Sequence, residues 1–190
     1  MKPIGSSPQQ KPNQSQWQRR LRQQLMGLLL CLFFLFGHSS AVLASIHRYP
    51  EGTNQVMYRS KQSLRDRSGL SWQVVLFKRL KFGKLDTLHL RLVGFPGLVE
   101  VTHQKPLSVV EGTGKTWSAK DVTDLSLPNN VAEYDVLEVI TQLKKNTPLQ
   151  FSLALKEDKV AELVIPPFVV KEWQTVLSRD ELSDQFSGYL

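Results

Sequence analysis

The residues best placed to do chemistry in this chain are Lys78, Arg79, Lys81 and Lys84, interleaved with Phe77, Leu80 and Phe82. Cations set among aromatic and aliphatic side chains can lie on an anionic lipid surface or dock an acidic protein. Arg65 and Arg67, just upstream, extend the basic bias. Phe95-Pro96, flanked by Gly94 and Gly97, reads as an exposed docking tip. Solvated hairpin charges are the bland alternative for the cations. Arg65, Arg67, Lys78, Arg79, Lys81, Phe82, Lys84, Phe95 and Pro96 therefore form the candidate binding set.

Catalytic constellations are harder to find. Gly112-Thr113-Gly114-Lys115-Thr116 resembles the end of a phosphate-binding loop, but Val109 stands where the leading glycine belongs. The segment also lies between strands instead of opening a helix, so a β-turn followed by a lysine is the better reading. His47, His89 and His103 have no second ligand at a useful spacing, and a zinc site needs three or four convergent ligands. The Gly-x-Ser-x-Gly elbow of acyl transfer does not occur. Asp66 and Asp135 are the acids in the most distinctive contexts, and a hydrolase would need them to converge. Turn and helix-start hydrogen bonding is the simpler role for both. No catalytic residue, metal ligand, cofactor or nucleotide site is assigned on this basis.

What positions these residues begins with the N-terminus. Arg19-Arg20-Leu21-Arg22 precedes the apolar run Leu25 to Phe36, and Ala41-Val42-Leu43-Ala44 follows it. A basic patch, a greasy tract and small residues before Ala44 describe a secretory signal peptide over residues 1–44. The tract is shorter than the roughly 20 apolar residues of a membrane span; an uncleaved signal anchor is the alternative. Either way the chain is expected in an exported compartment, where nucleic acid is not an expected partner. The formal charge of +7 would favour nucleic-acid binding, but most of it lies in the leader. Lys2, Lys11, Arg19, Arg20 and Arg22 all lie in the leader, which contains no acid, so the rest of the chain carries only +2. Within that remainder, residues 45–91 are strongly basic and residues 92–190 acidic, which predicts a dipolar molecule if the halves separate in space. Cys31 belongs to the leader, so the exported part forms no disulfide.

The chain has 190 residues, and without the leader it is the size of one ordinary domain. Residues 45–177 are expected to form that domain, and residues 178–190 a polar flexible tail. Residues 55–79 read as a hairpin around Asp66-Arg67-Ser68-Gly69, whose second strand is apolar on both sides and so covered on both faces. Lys81-Phe82-Gly83-Lys84 reads as a basic connection. Thr87 to Val93 alternates, with Leu88, Leu90 and Leu92 inward and His89 and Arg91 outward. Leu98 to His103 reads as a short strand, Leu107 to Ala119 and Leu149 to Ile165 as hairpins. Val131 to Leu143 takes helical spacing, and Pro167 opens a helix with Val169, Trp173, Val176 and Leu177 on one face. About eight short strands and two late helices predict a mainly β fold, an antiparallel sandwich or partly open barrel, with one or two short helices in its C-terminal half.

Several strings carry a resemblance. Ser63-Leu64-Arg65-Asp66, then Gly69, then Trp72 to Lys78, and Leu88 to Gly97, are similar to signatures of an exported cyanobacterial protein family that is a domain of unknown function. Tyr134-Asp135, Thr147-Pro148-Leu149 and Pro166-Pro167 through Trp173 also match. The resemblance spans nearly the whole exported part. It implies a cyanobacterial source and a periplasmic or thylakoid-lumenal address, and it carries no catalytic or binding residues. The long leader departs from it. The expected function is a non-enzymatic accessory domain that binds a protein or a membrane surface. An envelope-acting hydrolase and a carrier of a small apolar ligand are the competing expectations.

Overall fold

The computed structural model describes Met26 and residues 46–179. Expectations about the leader, its cleavage and residues 180–190 lie outside the described residues. The chain separates into two compact units, Met1–Leu43 and Ala44–Leu190. All strands and helices named below belong to the second.

Nine strands and two helices run in the order β1 (His47–Gly52), β2 (Gln55–Arg65), β3 (Ser71–Lys81), β4 (Lys84–Val93), β5 (Leu107–Glu111), β6 (Thr116–Asp121), β7 (Val131–Asp135), α1 (Leu137–Gln142), β8 (Leu149–Ala154), β9 (Val160–Ile165) and α2 (Pro167–Ser178). The strands form one sheet in the order β1-β2-β3-β4-β7-β6-β5-β8-β9, with antiparallel pairing throughout. β6 makes the turn in the middle: Thr116 to Ala119 pair with β5, whereas Lys120 and Asp121 pair with β7. The far strand returns to the start. Asp66 bridges Leu163 of β9, and the Arg67 N–H donates to the Glu162 carbonyl at 3.0 Å. The result is the mainly antiparallel β fold expected from the sequence, rolled into a partly open barrel.

Alternation explains which face is inside. Trp72, Val74, Leu76 and Leu80 of β3 and Leu88, Leu90 and Leu92 of β4 are buried, and so are Phe151 and Leu153 of β8 and Leu163 of β9. Helix α2 fills the interior they enclose. Pro167 sits in its first turn, and Val169, Val170, Trp173 and Val176 are fully buried. The Trp173 indole stacks on the Phe151 ring at 6.0 Å. Gly94 is required where β4 ends: a Cβ there would lie 2.2 Å from a Val99 methyl and 3.1 Å from the Trp72 ring.

Two expectations need correction, and two details go beyond them. Residues 131–135 are strand, not helix; only the stretch from Leu137 is helical. Val136, Val139, Ile140 and Leu143 are buried together as their spacing implied, but Val131 to Tyr134 are buried on both sides, a pattern that no helical face imposes. Residues 98–103 are loop with a single bridge from Val101 to Leu155. β1 was not anticipated; its exposed, proline-containing sequence suits an edge strand and lacks an apolar alternation. The basic connection 81–84 is a two-residue hairpin turn, with Lys81 paired to Lys84.

Candidate functional site

The outer face of β1 to β4 gathers most of the cationic and aromatic side chains that the strands expose. β3 contributes Val75, Phe77 and Arg79, and register sets them beside Lys61, Arg59 and Met57 of β2 and Arg91, His89 and Thr87 of β4. Glu51 and Tyr49 of β1 complete the margin. A shallow depression of about 370 Å³ lies here, lined by Arg59, Lys61, Arg79 and Arg91, with Glu51 as the acid in its wall. Phe77 forms the floor. Its ring is nearly fully buried although it points away from the core, because the Arg79 and Arg91 guanidiniums lie over it at 4.8 and 5.4 Å. The His89 ring meets its edge at 5.7 Å. The cover expected over this strand is therefore made of cations, not of a second layer.

Each cation is held differently. Arg79 Nε donates to Glu51 at 3.0 Å. Arg59 lies over the Tyr49 ring and donates to its hydroxyl at 2.6 Å, while its Nε is buried with no partner. Arg91 donates through Nε and a terminal nitrogen to one Glu133 oxygen, at 3.0 and 2.8 Å. The other Glu133 oxygen is 2.8 Å from His89 Nδ1. A carboxylate only accepts, so the imidazole carries its proton on Nδ1. Burial pushes the Glu133 carboxyl up, but the hydrogen bonds from His89 and Arg91, with the Arg91 and His89 charges, outweigh it and hold it below its ordinary range.

A group with a depressed native value stabilises the fold above its ordinary value of 4.5 and loses that contribution as pH falls further. The fold should therefore weaken on acidification below about pH 5. Glu133→Gln should flatten that part of the curve while costing stability at neutral pH. Urea unfolding of both proteins across this range checks it; parallel curves would mean that Glu133 does not carry the effect.

The candidate set from the sequence does not assemble into one patch. Lys78 points inward and is only 2% exposed; its ammonium donates to the Leu177 and Arg179 carbonyls at 2.6 and 2.5 Å. It closes the C-terminal end of α2, which has no basic residue in its own last turn. This corrects its assignment to a binding surface. Arg79 joins the outer face, while Lys81, Phe82 and Lys84 form the exposed turn at one end of the hairpin. Arg65, Arg67, Phe95 and Pro96 lie at the other end. An 11-residue strand separates the two groups, a length on the order of 35 Å. Arg65 donates to the Gly69 carbonyl and Arg67 pairs with Glu162 at 2.6 Å. Phe95 is 61% exposed beside Pro96. Arg59, Lys61 and Arg91 were missed as a group. Their signal was parity: odd-numbered positions on three paired strands share one face.

The other candidates resolve into structural roles. Asp66 accepts from Ser68 Oγ at 2.6 Å, the Leu70 N–H at 2.9 Å and the buried Trp72 indole at 2.9 Å. Its carboxyl is held low: burial pushes it up, and those hydrogen bonds outweigh the push. Asp135 is exposed on the outer side and accepts from the Leu137 N–H at the start of α1. The two acids thus turn to opposite sides of the sheet. Lys115 donates to Gln142 and lies over the Trp117 ring at 4.7 Å, in the β-turn the sequence suggested. No group of three or more metal-binding side chains occurs among the described residues.

The fold and this face define a mainly antiparallel β-domain whose outer face over β2 to β4 is lined with arginine and lysine. The chain belongs to the family described as Protein of unknown function (DUF3122), which matches residues 44–176. No curated protein and no solved structure matches it.

Proposed function

We propose that the chain is an exported, non-enzymatic accessory domain that binds an acidic segment of a partner protein on the outer face of β1 to β4. One observation carries this reading: Arg59, Lys61, Arg79 and Arg91 converge on a depression whose only acidic wall residue is Glu51. Glu51 engages Arg79, Glu133 engages Arg91 and Arg59 is held on Tyr49 instead of an acid, so Lys61 and Arg59 are the cations whose charge suits an incoming carboxylate. The N-terminal leader supports export, and the signature strings support a cyanobacterial source with a periplasmic or thylakoid-lumenal address. The competing readings have less behind them. A hydrolase built on Asp66 and Asp135 lacks convergence, and a carrier would need the interior that α2 fills.

The test uses a fluorescent oligo-glutamate peptide and the polypeptide 45–190. Binding should weaken steeply with salt, because charge-assisted contacts dominate it. Lys61→Glu should weaken it about tenfold, the equivalent of about 1.4 kcal/mol. Affinity that is unchanged in Lys61→Glu and insensitive to salt would sink the proposal.

A further inference from the structure

The turn between β3 and β4 is built against its own backbone preference. Lys81 pairs with Lys84, so Phe82 and Gly83 are the whole loop, with φ of 53° and 71°. Two left-handed residues in a two-residue hairpin make a type I′ turn, which favours Asn-Gly. Gly83 suits it. Phe82 does not, because a bulky side chain at positive φ is a steric outlier. Of the non-glycine residues at positive φ among those described, Phe82 alone is aromatic.

The Phe82 ring is 68% exposed, and its backbone N–H donates to the Asn54 carbonyl at 2.8 Å. Lys81 and Lys84 flank it, both exposed, and Leu85 adds a second partly exposed apolar side chain. Asp86 is the nearest acid in sequence. A strained residue persists where something outside the local backbone requires it.

We infer that this hairpin tip inserts into the surface of an anionic bilayer. The shape favours a bilayer over a protein pocket, since the ring stands on a convex turn with a cation on either side. An aromatic ring settles at the headgroup level, and lysines on flexible stems reach the anionic lipid beside it. The inference is independent of the acidic-peptide face, which lies on the strands behind the tip. With the tip inserted, that face would stand upright from the membrane, beside whatever protein is anchored there.

Sedimentation with vesicles tests it, using the polypeptide 45–190. One set contains equal parts phosphatidylglycerol and phosphatidylcholine; the other is phosphatidylcholine alone. The wild-type polypeptide should bind the anionic vesicles. Phe82→Asn should weaken that binding about tenfold or more, and its Tm should stay level or rise, because asparagine fits the turn. Lys81→Gln with Lys84→Gln should weaken binding to anionic vesicles only. Oligo-glutamate binding should be unchanged in Phe82→Asn, which separates the two surfaces. Failure of the wild-type polypeptide to bind either vesicle, equal binding by Phe82→Asn, or a lowered Tm in that variant would each overturn the inference.

Discussion

Lys78→Glu is expected to destabilise the domain severely, while Lys81→Glu and Lys84→Glu leave its stability nearly unchanged. All three lysines belong to one basic stretch of sequence, and charge reversal is the same chemistry at each. Their environments differ. The Lys78 ammonium is buried and donates to two carbonyls at the end of α2. A carboxylate there would set oxygen against oxygen without solvent to relieve it. Uncompensated buried charge costs on the order of 3–5 kcal/mol, against total stabilities of about 5–15 kcal/mol. Tm measured by circular dichroism should fall by roughly 6–20 °C in a chain of this size. Surface reversals typically stay within about 0.5 kcal/mol. Equal melting of all three variants would place the Lys78 ammonium on the surface and dissolve its role in holding α2.

Asp66→Ala should be the next most damaging change, and Asp66→Asn distinctly milder. Alanine removes the acceptor of three donors at once: the Ser68 hydroxyl, the Leu70 amide and the Trp72 indole. Trp72 cannot turn its indole N–H to water, since it is 1% exposed. Leaving a buried donor such as the Trp72 indole unpaired costs about 1–3 kcal/mol, and the loss of the partly buried Ser68 and Leu70 bonds adds to it. Asparagine retains one acceptor oxygen, so about half the loss should return. Asp66 also stands at the seam where β2 meets β9, and hydrogen exchange should show the Arg67 amide opening early in Asp66→Ala. Wild-type melting in Asp66→Ala would remove the structural role and restore this acid as a candidate for chemistry.

The strands with clean alternation were readable in the sequence because one face of each must be dry. β4 follows this pattern, and the hairpin β8-β9 falls where the charged turn Lys156 to Lys159 placed it. β7 was not readable. Val131 to Tyr134 are buried on both sides, so their pattern has no period of two, and the helical spacing of Val136 to Leu143 ran over the boundary. The candidate site divides along the same line. Adjacency in sequence suggested that Lys78, Arg79, Lys81 and Lys84 act together, yet neighbours on a strand face opposite ways. Lys78 goes in and Arg79 goes out. The cations that do meet, Arg59, Lys61, Arg79 and Arg91, come from three strands, and only a known register unites them.

The last segment of the fold to leave the ribosome is α2, and it supplies Trp173 and Val176 to the centre of the barrel. Because α2 follows all nine strands in the chain, the strands lack the side chains that complete their interior until that helix has been made.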